Sequence, residues 1–336
     1  MQLKEKLLNN KTYIIAEMSA NHAGKFENAL KIVHAAKEAG ADCLKIQTYT
    51  ADTITIKSDR EEFRLNGGLW DGYTLYDLYS EAYTPWEWQS QIKEECDKIG
   101  IDFMSSPFDN TAVDFLESIG CDGYKIASFE IVDIPLIEYV AAKHKPIIIS
   151  CGMANESEIQ DAIDACYRMG NKDVVLLKCC SEYPTNIKNL NLNTIKNMKE
   201  RYNTFVGLSD HSMGYLSDVL AVSLGAQIIE KHFCLSRKIE NADSDFSLEP
   251  SEFSEMVTKV RETEKMMGKI FYGPTNAEME EYKSRRSLYI VEEIKEGEIF
   301  TEKNVKSIRP NNGLSPKFLH SIIGKKASRN LMAGIP

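Results

Sequence analysis

The chain has 336 residues, of which 43% are hydrophobic and 27% charged, and its formal net charge is −10. These values are typical of a globular chain with one large domain and a small one, and they exclude a disordered protein. The acidic balance argues against nucleic acid as a partner, because binding to a phosphate backbone requires a basic face.

The cellular context can also be predicted from composition. No apolar run approaches the roughly 18 residues that a membrane span requires, and the first residues, MQLKEKLLNNK, lack the apolar core of a signal peptide. We therefore expect no membrane partner and a cytoplasmic location. The eight cysteines include no CxxC pair, which predicts reduced core thiols rather than disulfides or a zinc finger.

Strand-like apolar runs alternate with amphipathic helical patterns along most of the chain. The predicted strands are 13–20, 44–48, 102–106, 123–128, 146–150, 174–180, 205–209 and 227–234. The predicted helices are 28–40, 85–100, 111–120, 134–143, 156–170, 192–202, 215–226 and 250–268. This repeated unit predicts an α/β protein with a (β/α)₈ barrel over residues 1–268. A doubly wound sheet is less consistent, since the first loop, SANHAGK, has no GxGxxG motif.

In a (β/α)₈ barrel the active site lies at the carboxyl ends of the strands, so residues there are the functional candidates. These are Glu17, Lys45, Gln47, Ser105, Ser106, Lys125, Ser128, Glu130, Ser150, Lys178, Ser181, Ser209, Asp210, His211, Glu230 and His232. One connection, 51–84, is much longer than the others and contains GGLWD and several tyrosines. Loops of this length are usually functional, so we expect a lid over the site.

The alternation of strand and helix patterns ends after residue 268. Residues 269–284 are interpreted as a linker, and residues 285–336 contain strand-like pieces at 287–291, 299–300 and 305–309. We expect a small β-rich domain that packs on a barrel, its own or that of a partner, because its own core is small.

Two kinds of chemistry are indicated at the barrel mouth. Strand-end serines with Lys45 and Lys125 suit a phosphate or phospho-carboxylate, because hydroxyl groups and ammonium groups satisfy its oxygens. His211 and His232 suit a divalent ion that acts as a Lewis acid. A Schiff-base aldolase, in which a desolvated lysine attacks a carbonyl, is the competing hypothesis, and residue chemistry alone leaves both open.

Nine motifs in order extend over nearly the whole chain: IIAEMSANHAGK, LKIQTY, SSPFD, YKIASFE, SCGM, YPT, GLSDHS, EKHF and IRPNNG. Together they resemble the sialic acid synthase family, in which a barrel is joined to an antifreeze-like (SAF) domain. GGLWD and TPWEWQ resemble the pseudaminic acid branch more than the N-acetylneuraminate branch. The remaining alternatives are the same chemistry on N-acetylmannosamine or a legionaminate precursor, and a carbohydrate-binding protein with the barrel as scaffold.

The resemblance implies condensation of phosphoenolpyruvate with an open-chain acetamido sugar, with release of phosphate. His211 and His232 would ligate Mn²⁺ or Mg²⁺, and Glu17, Glu130 and Asp243 would act on the sugar or on the attacking water. The residues implied for substrate binding are Lys45, Gln47, Ser106, Lys125, Ser128, Ser150, Ser181, Ser209 and Arg309. Arg309 would reach the barrel of the partner subunit, which implies a domain-swapped homodimer.

Two positions depart from the family pattern that the resemblance implies. Ser106 stands where the neuraminate branch has threonine, which keeps a hydroxyl group at this position. Ser181 stands where that branch has asparagine, which shortens a phosphate contact. We expect neither change to affect the metal ligands or the lysines.

Overall fold

The computed structural model describes residues 3–336, in two compact units that divide the chain after Gly268. The first unit is a closed barrel of eight parallel strands in sequential order, as the sequence predicts. The strands are β1 Tyr13–Glu17, β2 Cys43–Thr48, β3 Asp102–Pro107, β4 Gly123–Ile126, β5 Ile147–Ser150, β6 Val174–Cys179, β7 Phe205–Asp210 and β8 Ile228–His232. The barrel closes between β1 and β8, where Glu17 lies opposite His232.

The helices of the first unit follow the strands around the barrel. They are α1 Leu3–Leu8, α2 Phe26–Glu38, α3 Ala51–Ile54, α4 Leu75–Ala82, α5 Trp86–Ile99, α6 Asn110–Ser118, α7 Ile134–Ala141, α8 Glu156–Arg168, α9 Asn193–Tyr202, α10 Leu216–Ser223 and α11 Pro250–Met267. Capping side chains begin several of them: Asp109, Asp133 and Asn155 each accept a backbone N–H of the first turn. No helix among residues 3–336 is long and apolar enough to cross a membrane.

The alternation of side chains along each strand separates two cores. Ile14, Leu44 and Phe103 point outward and pack against the helices in the larger core. Tyr13, Ile15, Cys43, Met104, Ile148, Val175, Leu177 and Ile228 fill the barrel interior. The same alternation aims the last inward residue of each strand at the carboxyl end of the barrel.

Helix α1 closes the other end of the barrel, and the sequence pattern did not predict it. Its Leu3 and Leu7 are buried against the interior core. With only six residues, the helix is too short for a periodic signal.

The second unit has β9 Ser287–Ile290 paired antiparallel with β10 Val305–Ile308, and the short helices α12 Met279–Tyr282 and α13 Leu319–Ile322. Its core consists of Leu288, Ile290, Ile294, Val305 and Ala327. The segment interpreted as a linker contains α12, and the side chains of Ile270, Phe271 and Tyr272 near its start are exposed.

Candidate active site

The strand alternation brings the predicted residues to one cavity of about 370 Å³ at the carboxyl end of the barrel. Twelve of the predicted residues line it: Lys45, Gln47, Ser106, Lys125, Ser128, Glu130, Ser150, Ser209, His211, Glu230, His232 and Asp243. Glu17 reaches the site through its neighbours, since it contacts Lys45 and accepts a hydrogen bond of 3.1 Å from Gln47.

Four buried charges form the floor of the cavity. The Lys45 ammonium lies 2.8 Å from a Glu17 oxygen and 3.5 Å from Glu230 Oε1. The Lys125 ammonium lies 3.7 Å from the same Glu230 oxygen, which also accepts a hydrogen bond of 3.1 Å from Ser209. Two cations and two anions therefore compensate one another in a site that excludes most water.

Burial and pairing shift these groups in different directions. Burial raises the pKa of Glu17 above its usual value, although Lys45 opposes the shift. Burial acts in the same direction on Glu230, but Lys125 and Lys45 outweigh it and hold its pKa low. Burial lowers the pKa of Lys125. An incoming anion would favour the charged form of this lysine.

Three serines and one glycine form a cradle beside Lys125. The Gly152 N–H donates to Ser128 Oγ at 3.1 Å. Ser150 Oγ and Ser181 Oγ are buried and have no hydrogen-bond partner among residues 3–336. A Cβ added at Gly152 would lie 2.5 Å from Ser181 Oγ and 2.7 Å from Ser128 Oγ. Unpaired buried hydroxyls around an open space of this kind suit the oxygens of a phosphate group.

The imidazoles of His211 and His232 face each other with ring centroids 5.3 Å apart. His211 Nδ1 donates to the Cys180 carbonyl at 3.0 Å, so in the neutral ring Nε2 carries the lone pair. Burial disfavours the charged ring, but Cys179, the Cys180 carbonyl and Asp210 outweigh burial and raise the pKa of His211. His232 Nδ1 is buried without a partner in the described chain. Burial, with His211 and nearby lysines, lowers the pKa of His232 well below its usual value, so that the ring is neutral.

This donor set fits a divalent metal ion that is only partly coordinated by protein. Two imidazole nitrogens with free lone pairs are typical ligands of such ions. Within residues 3–336, no group of three or more His, Cys, Asp or Glu side chains is arranged to hold a metal ion. The remaining coordination positions would therefore belong to water or substrate.

Two further carboxyl groups lie in the cavity wall. Burial raises the pKa of Glu130 to about 7, although Lys125 opposes the shift, and its Oε2 has no partner within the described chain. Asp243 accepts the Ala20 N–H at 3.1 Å, and burial raises its pKa. A carboxyl group with a pKa near 7 suits proton transfer at neutral pH.

The long connection 51–84 crosses the barrel mouth and contains two short helices, α3 and α4. The indole of Trp70, at its tip, donates to the Ala242 carbonyl at 3.1 Å in the loop after β8. The same ring contacts Tyr183, in the loop after β6, with centroids 5.8 Å apart. The segment starts after β2, so these contacts hold it across the mouth as a lid.

Asp210, a strand-end candidate, does not contact His211 through its carboxylate. Ser209 and His211 point into the barrel, so Asp210 points outward by alternation. There it accepts hydrogen bonds from Ser212 N, 2.9 Å away, and Ser217 Oγ, 2.6 Å away, and forms a buried ion pair with Lys231. Lys231 was not among the predicted site residues, although its position between two inward residues indicates that it points outward.

Cys179 is a second site residue that was not among the predicted ones. It lines the cavity, with its sulfur 3.9 Å from His211 Nδ1. Burial disfavours its thiolate, but His211, Ser128 and Lys125 outweigh burial and lower the pKa of Cys179 to about 7. Its alternation with the buried Leu177 was the signal that it points into the barrel.

Arg309 lies in the second unit, where it follows β10 and is exposed, and its peptide bond to Pro310 is cis.

Ser181 lies beneath the cavity surface, where its hydroxyl group faces the space beside Gly152.

Comparison with known proteins agrees with this geometry. A model of the NeuB family matches residues 32–272, and a model of the SAF domain matches residues 285–336. A pseudaminic acid synthase of Campylobacter jejuni subsp. jejuni is 48% identical over 337 residues, which cover 99% of this chain and 97% of that relative. A pseudaminic acid synthase of Helicobacter pylori is 44% identical over 325 residues, covering 96% and 95%.

A solved structure gives the same result for the fold. The crystal structure of N-acetylneuraminic acid synthetase from Leptospira borgpetersenii serovar Hardjo-bovis matches with a TM-score of 0.73 and 33% identity, and covers 81% of this chain and 90% of that chain. These relatives are sugar acid synthases, which supports an enzyme rather than a binding scaffold. The chain therefore belongs to the NeuB family and carries a SAF domain after its barrel.

Proposed function

We propose that the chain is a pseudaminic acid synthase, which condenses phosphoenolpyruvate with 2,4-diacetamido-2,4,6-trideoxy-L-altrose to give pseudaminic acid and phosphate. The observation that carries the proposal is one cavity at the barrel mouth that brings together a lysine-rich anion site, a cradle of serines in which Ser150 and Ser181 are unpaired, and a pair of neighbouring histidines. The similarity to the pseudaminic acid synthases of C. jejuni and H. pylori, which are 48% and 44% identical to this chain, supports the choice of sugar.

The anion site is the place for phosphoenolpyruvate. Lys45 and Lys125 would neutralise its charges, with Ser106, only 3.4 Å from Lys45, and Ser209 beside them. The cradle of Ser128, Ser150 and Ser181 around Gly152 would receive the phosphate oxygens. Each of these contacts replaces a hydrogen bond to water, which keeps the anion bound in a buried site.

The histidines would hold the divalent ion, Mn²⁺ or Mg²⁺. When bound, this ion acts as a Lewis acid that polarises the carbonyl oxygen of the sugar aldehyde. The neutral state of His232 and the carbonyl partner of His211 prepare both rings for this role.

The chemistry forms one C–C bond and cleaves one C–O bond. C3 of phosphoenolpyruvate attacks the aldehyde carbon, water adds at C2, and phosphate leaves with the bridging oxygen. Glu130 would take the proton from the attacking water, since its pKa near 7 allows it to accept one at neutral pH. Glu230, beside both lysines, would stabilise positive charge that develops at C2.

Two carboxyl groups are assigned to the sugar. Glu17 would bind hydroxyl groups together with Gln47, whose amide donates to both Glu17 and Ser19. Asp243 would contact the sugar from the loop after β8, beneath the lid residue Trp70. The lid would exclude water until both substrates are bound.

A second copy of the chain would complete the site. Six apolar side chains in the segments after β4 to β7, each more than half exposed, are Phe129, Val132, Met153, Ile187, Met213 and Leu216. Exposed apolar groups near a catalytic mouth favour a covering partner. We propose that the partner's SAF domain covers them and that the partner's Arg309 reaches the sugar, as a domain-swapped homodimer.

The free, mostly buried cysteines are consistent with a reducing compartment, so we propose a cytoplasmic location. The proposed function is tested by incubating the protein with phosphoenolpyruvate, Mn²⁺ and each candidate sugar, and measuring released phosphate. We expect the highest kcat/KM with the diacetamido trideoxy altrose. Absence of phosphate release with every acetamido sugar would overturn the proposal.

Lys125, whose pKa is lowered by burial, is the observation that favours the aldolase alternative. Borohydride with pyruvate and sugar would trap a Schiff base on an aldolase. We expect no such adduct from this protein.

A further inference from the structure

The cavity has two walls of different chemistry. Lysines, serines and histidines line the inner wall at the strand ends. The lid supplies most of the outer wall through Ile54, Leu65, Leu75, Leu78 and Ala82, which we call the aliphatic wall. The aromatic rings of Phe108 and Phe129 also line the cavity.

The lid offers few polar atoms to a ligand. Besides the aliphatic wall, its cavity-lining residues are Trp70 and Tyr79. The indole N–H of Trp70 is already used by the Ala242 carbonyl. The ring of Tyr79 packs against Tyr49, with centroids 5.7 Å apart, and burial and the nearby Glu130 raise the pKa of its hydroxyl group. A hydroxyl group placed against Leu65 or Leu75 would face hydrocarbon.

The reaction determines which end of the sugar meets this wall, and this step rests on the proposed function. The aldehyde at C1 must lie beside the histidines and the bound phosphoenolpyruvate at the inner wall. C6 is at the opposite end of the open chain, so it is directed outward. The lid, held down by Trp70, covers the cavity on that side.

We propose that the aliphatic wall is the subsite for the C6 methyl group and selects a 6-deoxy sugar over its 6-hydroxy counterpart. A methyl group there is removed from water and gains contacts with the leucine side chains. A 6-hydroxyl group would lose its hydrogen bonds to water without replacement. Apolar pockets discriminate by roughly 10- to 100-fold against an added hydroxyl, and we expect a ratio of kcat/KM in that range.

The test compares two sugars that differ at one position: 2,4-diacetamido-2,4,6-trideoxy-L-altrose and the same diacetamido altrose with a hydroxyl at C6. The variants are Leu65→Asn and Leu75→Asn, which add an amide to the aliphatic wall. Leu69→Asn is the matched control, because Leu69 belongs to the same lid but is 42% exposed and does not line the cavity.

We expect each wall variant to lower the 6-deoxy to 6-hydroxy ratio of kcat/KM by at least about fivefold, with the control unchanged. A wild-type ratio near 1, or wall variants that remain folded and active with an unchanged ratio, would overturn the subsite. Absence of phosphate release from the wild type with either sugar would instead overturn the proposed function, and the subsite with it.

Discussion

Lys231 and Asp210 form an ion pair that is fully buried behind the barrel wall, and each residue is the chain neighbour of one facing histidine. The two residues are also partners in the β7–β8 register. Lys231 donates in addition to the Ser212 carbonyl at 2.6 Å. The pair thus joins the backbone beside His211 to the backbone beside His232.

Lys231→Met should leave the Asp210 carboxylate buried without its cation. Removing one partner of a buried pair costs about 3 to 5 kcal/mol of unfolding free energy. Urea denaturation measures this loss, and titration with Mn²⁺ should show weaker binding. The double variant Asp210→Asn/Lys231→Met should be less destabilised than the single variant, because the Asp210 charge is no longer left unpaired. Asp218, 3.8 Å from Lys231, loses the same cation in both variants, and burial, which raises its pKa, favours its neutral form. Equal losses would contradict a coupled pair.

The barrel and the position of its site could be predicted because both follow from local patterns. Eight repeats of one unit define the barrel, and strand alternation places Lys45, Lys125 and His211 at its mouth. Strand alternation, applied to neighbouring residues, also predicts that Asp210 and Lys231 point outward and that Cys179 points inward. These orientations could have been predicted from the sequence, but they were not.

Other features depend on contacts between distant segments, which local patterns do not contain. Trp70 meets Ala242 across 172 residues of chain, and the space at Gly152 exists because loops after β4 and β6 meet there. The space beside Gly152 and the position of the lid tip could therefore be found only from the folded structure.

Replacing either facing histidine should abolish metal binding. For His211→Ala or His232→Ala we expect loss of Mn²⁺ binding in a direct titration and a fall in kcat of about 100-fold or more. EDTA should reproduce the loss of activity in the wild type, and added Mn²⁺ should reverse it. His34→Ala is the control, since that side chain is half exposed and pairs with Glu95. Unchanged Mn²⁺ affinity in both site variants would refute the assignment.

The pH dependence of kcat/KM should reflect Glu130, because this ratio reports the pKa values of the free enzyme. Its pKa of about 7 means that the group is neutral below and charged above this value. A base must be charged to accept a proton, so kcat/KM should rise as pH increases through about 7 and then level off. In Glu130→Gln this ascending limb should vanish and kcat/KM should fall. A limb that persists in the variant would assign the titration to another group.

The same shift has a consequence for stability with the opposite pH direction. Because folding raises the pKa of Glu130, its contribution favours the folded protein below the usual carboxyl pKa and is lost as pH rises through about 7. As pH rises from 6 to 8, the free energy of unfolding should therefore fall less in Glu130→Gln than in the wild type.

Gly152→Ala should fill the serine cradle. The new methyl group would lie 2.5 Å from Ser181 Oγ, so it would occupy space proposed for the phosphate oxygens. We expect a loss of binding free energy of about 1.4 kcal/mol, which corresponds to about a tenfold rise in KM for phosphoenolpyruvate. We expect a smaller change in kcat. Gly152→Ala/Ser181→Ala removes the nearest clash and should recover part of the stability lost in Gly152→Ala, but not the affinity, because Ser181 is itself a proposed phosphate contact. A KM for phosphoenolpyruvate that is unchanged in Gly152→Ala would place the phosphate elsewhere.

Mixed dimers test the proposed role of Arg309. Arg309→Ala and His211→Ala should each be inactive alone. If Arg309 acts in the partner's barrel, an equal mixture that exchanges subunits contains one intact site in half of its dimers, or about one quarter of wild-type activity. Mass-tagged subunits verify exchange. Exchange without recovered activity would show that Arg309 does not act across subunits.

The Trp70 hydrogen bond links the lid to Asp243 through the backbone. Its acceptor is the carbonyl of Ala242, and the next residue is Asp243, whose carboxylate is held by the Ala20 N–H. Opening of the lid would remove one anchor of this loop, which is held in addition by the hydrogen bond from Ser247 to the Asp243 carbonyl. In the proposed reaction, exclusion of water and alignment of Asp243 would therefore depend on the same contact, so a substrate that fails to bring the lid down would also fail to meet the carboxylate.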